Sequence, residues 1–493
     1  MKRLADLLPD QEILAWSGDR DIFVNGIEYD SRRVTPGSCY MAVKGFVRDG
    51  IHFIEPAVSN GAVAVVTSHP PASGEGPAQL HPGLVWVQIR NDRRILSHLA
   101  AQFYDNPSRR LAVIGVTGTN GKSSTMALIH AMLQRQAPSG WLGTLGMGFA
   151  ERQKKTHLTT PEAPDIFAFL AEVEEEGGKS VVMEVSSASL SLLRVEDIFF
   201  SQAVFTSFSG DHLDFHQRLE DYFAAKLSLF RKLGPESWAI VNADDPRGPQ
   251  VIRELACKYL TFGFTSAADV RPAKFRFSLS GLEAVLETPR GVLAVECPLI
   301  GRFNLANVMA AAGAALVHGV APDQISAALR SFKPVHGRAE IAYREKFTVI
   351  IDYAHTDGAL ASLLQGVREL VGQGRIILVF GAGGDRDKTK RPRMGRVAAA
   401  HADYLIVTSD NPRGEDPAAI VSDIVAGIPA EFSAWQVELD RALAIERALD
   451  MAQAGDVVVI AGKGHEDYQI FKDSTIHFSD YEVVAEKTGR PHA

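Results

Sequence analysis

Cysteine is scarce in this chain, with three residues (Cys39, Cys257 and Cys297) in 493. An odd, widely spaced set builds neither a disulfide framework nor a metal-ligand spacing, and it points to a reducing compartment. No run of about 18 apolar residues occurs, so no membrane-spanning helix is expected. Met1-Lys2-Arg3-Leu4-Ala5-Asp6 lacks the apolar centre of a secretory signal. Positive charge is not in excess: 51 basic against 59 acidic side chains leave −8, which argues against a nucleic-acid or anionic-membrane partner. Internal repeats and low-complexity tracts are missing too. The remaining class is a cytoplasmic α/β enzyme, too long for a single core.

What the sequence has is concentrated in Val113-Ile114-Gly115-Val116-Thr117-Gly118-Thr119-Asn120-Gly121-Lys122-Ser123-Ser124. The apolar run Leu111 to Val116 reads as a buried strand, a glycine turn follows, and Lys122 opens a helix. Strand, glycine loop and helix N-terminus together gather backbone N–H groups and a positive dipole end, with a lysine that reaches the outer phosphates. Ser123 would set a hydroxyl on Mg²⁺. The strict pattern wants glycine where Val116 stands, so this is a variant P-loop.

Three domains are expected. Residues 1–109 read as a small α/β unit with a strand running into a polar turn over Gly26 to Arg32, strands at Ser38 to Val43 and Gly61 to Thr67, a Pro/Gly/Ser-rich loop at Pro70 to Pro82 and a helix at Arg90 to Tyr104. Residues 110–335 read as a nucleotide domain with a mostly parallel sheet. Its strands lie at Ser180 to Val185, Ala203 to Ser207 and Trp238 to Asn242, and residues 258–297 look like an antiparallel excursion. Residues 336–493 repeat strand and helix. Their near-continuous apolar runs at Thr348, Arg375, Tyr404 and Asp456 suit strands buried on both faces of a Rossmann-like parallel sheet.

Polar clusters follow these strands, where open parallel sheets collect ligands. Glu184 ends a strand as a Mg²⁺-holding acid does, although a helix-capping carboxylate looks the same. His212 suits a metal or a phosphate but equally a structural role. Lys226 reads as a solvated helix lysine, and Asn304 as a helix cap or a base contact. In the last domain Asp352-Tyr353-Ala354-His355, Gly381 to Pro392, Asp410-Asn411-Pro412-Arg413 and Gly462 to Tyr468 are dense charged loops. Together they would make a pocket for a small zwitterion, with Arg386 and Arg413 on carboxylates and Glu466 on an ammonium.

Gly118-Thr119-Asn120-Gly121-Lys122-Ser123, Met183-Glu184-Val185-Ser186-Ser187, Asp211-His212-Leu213-Asp214, Asn242-Ala243-Asp244-Asp245, His336-Gly337-Arg338, Asp352-Tyr353-Ala354-His355 and Gly384-Asp385-Arg386-Asp387-Lys388 occur in that order. A chain with this set, from about Tyr29 to Asp480, resembles the Mur ligases. Asp410-Asn411-Pro412-Arg413 and Gly462 to Gln469 narrow the likeness to the branch that adds meso-diaminopimelate to UDP-N-acetylmuramoyl-L-alanyl-D-glutamate.

The resemblance implies an ATP-dependent amide ligase of cell-wall synthesis working through an acyl phosphate, and a monomer. By resemblance Gly118 to Ser124, Asn304, Arg338 and Asp352 bind ATP. Ser123 and Glu184 hold one Mg²⁺; His212 and a carbamylated Lys226 hold a second. Tyr29, Ser31 and Gly45 hold the uridine end of the UDP-dipeptide, and Thr159, Thr160, Ser186 and Arg194 its peptide end. Arg386, Asp410, Asn411, Pro412, Arg413, Gly462 and Glu466 hold the amino acid. Lys122, Glu184, His212 and Lys226 carry the catalysis. Leu158, Ala188, Leu192 and Phe46-Val47-Arg48 depart from the family pattern, all on the UDP-dipeptide side. The alternatives are a lysine-adding relative, a folylpolyglutamate-synthetase-like ligase, or a P-loop switch that turns over ATP without synthesis.

Overall fold

The computed structural model describes residues 1–489 apart from 46–47, 71–80 and 212. It is a three-domain α/β architecture built on three main sheets. The first has five strands in the order Ile13–Ser17, Val85–Ile89, Ala64–Thr67, Ser38–Ala42, Gly26–Glu28, parallel except for the outer Ile13–Ser17. The expected loop at 70–82 falls mostly outside the described residues.

The second sheet has eight strands, and Ala112–Thr117, which feeds the P-loop, lies near its middle. It is flanked in parallel by Ser180–Glu184 and Phe200–Phe205, with Val116 opposite Glu184 and Thr117 opposite Phe205. Alternate residues face opposite ways: Ile114, Val116, Val182 and Ile240 enter one core, and Val113, Val181, Met183 and Ala203 the other. Such double burial requires strands apolar on both faces. Helix Lys122–Leu133 packs in the first of these cores beside Arg302–His318, whose buried Ala310 to Ala315 run allows close approach.

Two features differ from the sequence reading. Lys258–Phe262 closes the parallel sheet beside Trp238–Asn242, and only residues 271–297 form the antiparallel three-stranded unit. A half-exposed edge strand alternates with the same period as a hairpin strand, so its pattern does not tell the two apart. The hairpin strands Gly146–Phe149 and Arg152–Lys154, also unread, are rich in glycine and charge.

The third sheet runs Glu340–Arg344, Thr348–Asp352, Val457–Ala461, Ile376–Phe380, Tyr404–Val407, Trp435–Val437. All but the first are parallel, and both faces are buried. The carboxyl ends of its central strands carry the loops at 352–355, 381–390, 408–413 and 461–466.

Candidate active site

A cleft of about 530 Å³ opens where the P-loop faces the third sheet, lined by Thr119 to Ser124, Glu184, Asn304 and Asn307 on one side and by Arg338, Asp352, Tyr353 and His355 on the other. Gly118 and Gly121 have positive φ; a Cβ on the first would collide with Thr206 Oγ1, and on the second with Asn307 Oδ1. Lys122 Nζ donates to the carbonyls of Gly118 (3.0 Å) and Thr119 (2.9 Å), folding back over its own loop. Burial lowers its pKa.

Lys226 is not the solvated lysine the helix pattern suggests. It is 2 % exposed, its Nζ donates to Gly118 O at 2.8 Å, and the Tyr222 ring lies 4.4 Å away. Burial first, then the neighbouring Lys122 charge, drive its pKa well down. A buried amine held toward its neutral form is a nucleophile.

Glu184 is not a helix cap. Its oxygens accept from Thr144 N (2.8 Å) and Thr144 Oγ1 (3.2 Å), and Ser123 Oγ accepts from Arg338 Nη2 at 3.2 Å. Hydroxyl and carboxylate border the same cleft, an oxygen donor set of the kind Mg²⁺ takes, so the residues fit the ion. Among the described residues no group of three acidic, His or Cys side chains stands ready for a metal, and His212 lies outside the described residues.

Asp352 accepts from Ala339 N and Ala354 N, both at 2.7 Å, while burial raises its pKa. Desolvation and Lys390 push His355 down to about 4, so the ring is neutral at pH 7 and a weak base.

The residues assigned to the peptide end do come together. Thr160 Oγ1 donates to Glu184 O (2.9 Å) and accepts from Ser186 N (3.1 Å), and Thr159 Oγ1 is 3.2 Å from Thr144 Oγ1. Arg194 donates to Thr160 O (3.0 Å) and to Glu162 (2.9 Å), and Glu162 also takes Arg93 from the first domain. The uridine-end residues lie farther out. Tyr29 donates its hydroxyl to Asp165 at 2.6 Å, the buried Ser31 has its carbonyl taken by Asn60, and Gly45 N donates to Arg48 O. Phe46 and Val47 lie outside the described residues.

In the third domain Gly384 N donates to Asn411 O, Arg413 Nη1 to Gly384 O (2.9 Å), and Arg413 N to Ile470 O. The fully buried Arg391 binds Glu415 and Asp423 and so fixes both loops from behind. Asp410, Asn411 and Pro412 are buried, and the Asp410 carboxylate fills the space a Cβ on Gly462 would need. Arg386 is exposed and donates to Asp385 O. Glu466, expected to meet an ammonium, meets one from inside the protein, Lys463 Nζ at 3.0 Å. Its other oxygen is 3.5 Å from Tyr353 Oη, and the Arg338 guanidinium sits over that ring at 4.5 Å. Two side chains therefore span the distance from Glu466 to Ser123.

The Mur ligase family catalytic domain matches residues 23–104, the Mur ligase middle domain 116–315, and the Mur ligase glutamate ligase domain 337–464. The chain belongs to the Mur ligase family. A UDP-N-acetylmuramoyl-L-alanyl-D-glutamate–2,6-diaminopimelate ligase of Syntrophomonas wolfei is 41% identical over 98% of both chains. The same-named ligase of Gloeobacter violaceus is 44% identical over 94% of both. A solved structure with that ligase name superposes with a TM-score of 0.66 at 31% identity, covering 94% of this chain and 95% of its own.

Three residues at the site of this Mur ligase escaped the sequence reading. Asn307 touches both Thr125 (3.3 Å) and Asn304 (3.1 Å); its signal was its place three residues after Asn304 on one helix. Glu162 and Lys463 look like surface charges in sequence and are buried. Nothing local marks Glu162, and Lys463 was read only as one residue of the charged loop Gly462 to Tyr468.

Proposed function

We propose that this Mur ligase joins meso-diaminopimelate to UDP-N-acetylmuramoyl-L-alanyl-D-glutamate with ATP, a step in making peptidoglycan precursor. The observation that supports the reading is the run Ser123–Arg338–Tyr353–Glu466, which links the phosphate-binding loop to the Glu466 loop through two cleft-lining side chains. The names of near-full-length relatives supply the substrates. Residues 1–109 would hold the UDP end, 110–335 ATP, and 336–493 the amino acid. The chain would act as a monomer in the cytoplasm, where its nucleotide-linked substrate is found.

In this reading the amides from Gly118 to Ser124 and Lys122, released from its loop carbonyls, hold the outer phosphates, with Asn304, Arg338 and Asp352 around the nucleotide. Ser123 and Glu184 would hold Mg²⁺; His212 and Lys226, once CO₂ has made the lysine a carbamate, would hold a second ion. When bound, Mg²⁺ neutralises charge on the transferring phosphoryl group. Thr159, Thr160, Ser186 and Arg194 aim the glutamyl carboxylate at the γ-phosphorus; a carboxylate oxygen bonds to phosphorus and ADP leaves. The diaminopimelate amine then bonds to the acyl carbon. Phosphate departs with the bonding electrons, and the spare proton of the amine goes with it.

Holding the amine beside the acyl phosphate can be worth roughly 7–11 kcal/mol. Arg413, gripping the second carboxylate, would disfavour lysine by on the order of 10⁴, because lysine leaves the guanidinium unpaired. Purified protein given ATP, the UDP-dipeptide and one amino acid at a time should release phosphate and form tripeptide with meso-diaminopimelate alone. Turnover with lysine or glutamate instead, or ATP hydrolysis indifferent to any amine, would overturn the reading.

A further inference from the structure

Lys463 has no part in the mechanism above, yet its side chain is wholly enclosed. A lysine in that position needs partners for its ammonium. Nζ lies 3.0 Å from Glu466 Oε2 and 3.3 Å from Asn411 Oδ1, and the Tyr468 ring is 5.4 Å away. Asn411 Nδ2 donates to the same Glu466 oxygen at 2.8 Å, and Asn411 Oδ1 also accepts from Ile470 N at 3.0 Å. The ammonium and the Ile470 N–H thus dictate which way round the amide sits: oxygen toward the two donors, NH₂ toward the carboxylate. Glu466 is thereby clamped through one oxygen. The other stays on the side of Tyr353, which lines the cleft.

The charge balance follows. Lys463 and Glu466 cancel. Arg386 and Arg413 bind only carbonyls in this structure, and among the described residues no carboxylate pairs with either. A diamino diacid whose attacking amine has lost its proton carries two carboxylates and one ammonium, one net negative charge. Lysine in the same state carries none. A bare Glu466 would offset one of the two guanidiniums and weaken that preference.

We infer that Lys463 is a positioning residue for the amino-acid substrate: acting through Glu466 and Asn411, it fixes their polar atoms and keeps the pocket selective for a dicarboxylate. The inference rests on the diaminopimelate reading, so wild-type protein is assayed first, and failure to use diaminopimelate there defeats both.

With wild type active, Lys463→Met should raise the diaminopimelate KM on the order of 10²-fold, and lower the preference for diaminopimelate over lysine. KM for ATP and for the UDP-dipeptide should stay within about twofold. In a Glu466→Gln background, where adding Lys463→Met leaves no buried charge alone, the second substitution should cost less than about threefold more. That pair of variants carries the test if Lys463→Met alone folds poorly. An unchanged diaminopimelate KM, a parallel rise in all three KM values, or a full-sized further loss in the Glu466→Gln background would each overturn the assignment.

Discussion

Asp480→Asn tests how the amino-acid pocket is supported from below. Arg441 and Asp480 are both 0% exposed and face each other with two bonds, Nε to Oδ1 at 2.7 Å and Nη2 to Oδ2 at 2.9 Å. The same guanidinium donates to Ser409 O (3.3 Å) and Ala461 O (3.1 Å), the residues just before Asp410 and Gly462. Asp480→Asn keeps the volume, removes the charge, and turns one acceptor into an NH₂ facing a donor. Arg441 then hydrogen-bonds only neutral groups, with the Asp410 and Glu466 carboxylates as its remaining charged neighbours. Breaking such a pair from one side costs about 3–5 kcal/mol, a large share of ordinary domain stability. Because several domains need not unfold together, the assay is hydrogen exchange under native conditions in Tyr404–Val407 and Val457–Ala461, the strands that lead into those carbonyls. Their opening free energy should fall by that amount, and the diaminopimelate KM should rise while the ATP KM holds. Arg441→Met with Asp480→Leu should restore most of the loss, since no charge is then left alone. A loss below about 1 kcal/mol in Asp480→Asn would refute the reasoning, because the guanidinium would then have found water or another anion.

Lys122→Ala should cut ATP-dependent turnover by at least about 10³-fold with an unchanged far-ultraviolet circular dichroism spectrum; near-normal turnover would end the P-loop assignment. Arg413→Met should raise the diaminopimelate KM by on the order of 10²-fold, leaving that for ATP in place; if both rise together in steady-state kinetics, Arg413 only braces its loop. Glu28 gives a pH test. Burial pushes it up to about 7 from an ordinary 4.5 against the pull of Arg33, which it shares with Asp165. Between those values the native state keeps a proton that the unfolded chain has released, so stability falls as pH rises through the window and levels off above it. Glu28→Gln should match wild type in melting temperature near pH 4.5 and exceed it at pH 8; a difference that does not vary with pH would contradict this.

Much of the architecture was legible because it is local. The P-loop needs an apolar strand, glycines where a Cβ would collide, and Lys-Ser at a helix start, all within a dozen residues. The parallel strands were legible because burial on both faces demands unbroken apolar runs. Edge strands escaped or were misread. Lys258–Phe262 alternates like a hairpin strand, and Trp435–Val437 is too short to show a period.

Charged residues divided the same way. Glu184, Arg413 and Glu466 were legible as candidates because each follows a core strand or a dense polar loop. The residues alone did not single out Lys226 or Lys463, since lysine in sequence carries no mark of burial, and Lys226 entered only through the family resemblance; the approach of Gly118 O to the first and of Glu466 to the second makes them distinctive.

By itself, then, the sequence determined the strand-and-helix rhythm, the phosphate loop and which residue types each loop offers, because those depend on neighbours along the chain. Only the tertiary structure decided that Arg338 from one domain reaches Ser123 in another, that Glu162 gathers arginines from two domains, and that Glu466 is already paired. Those outcomes depend on which distant groups burial forces to share a low-dielectric space, and no spacing along a chain encodes that directly.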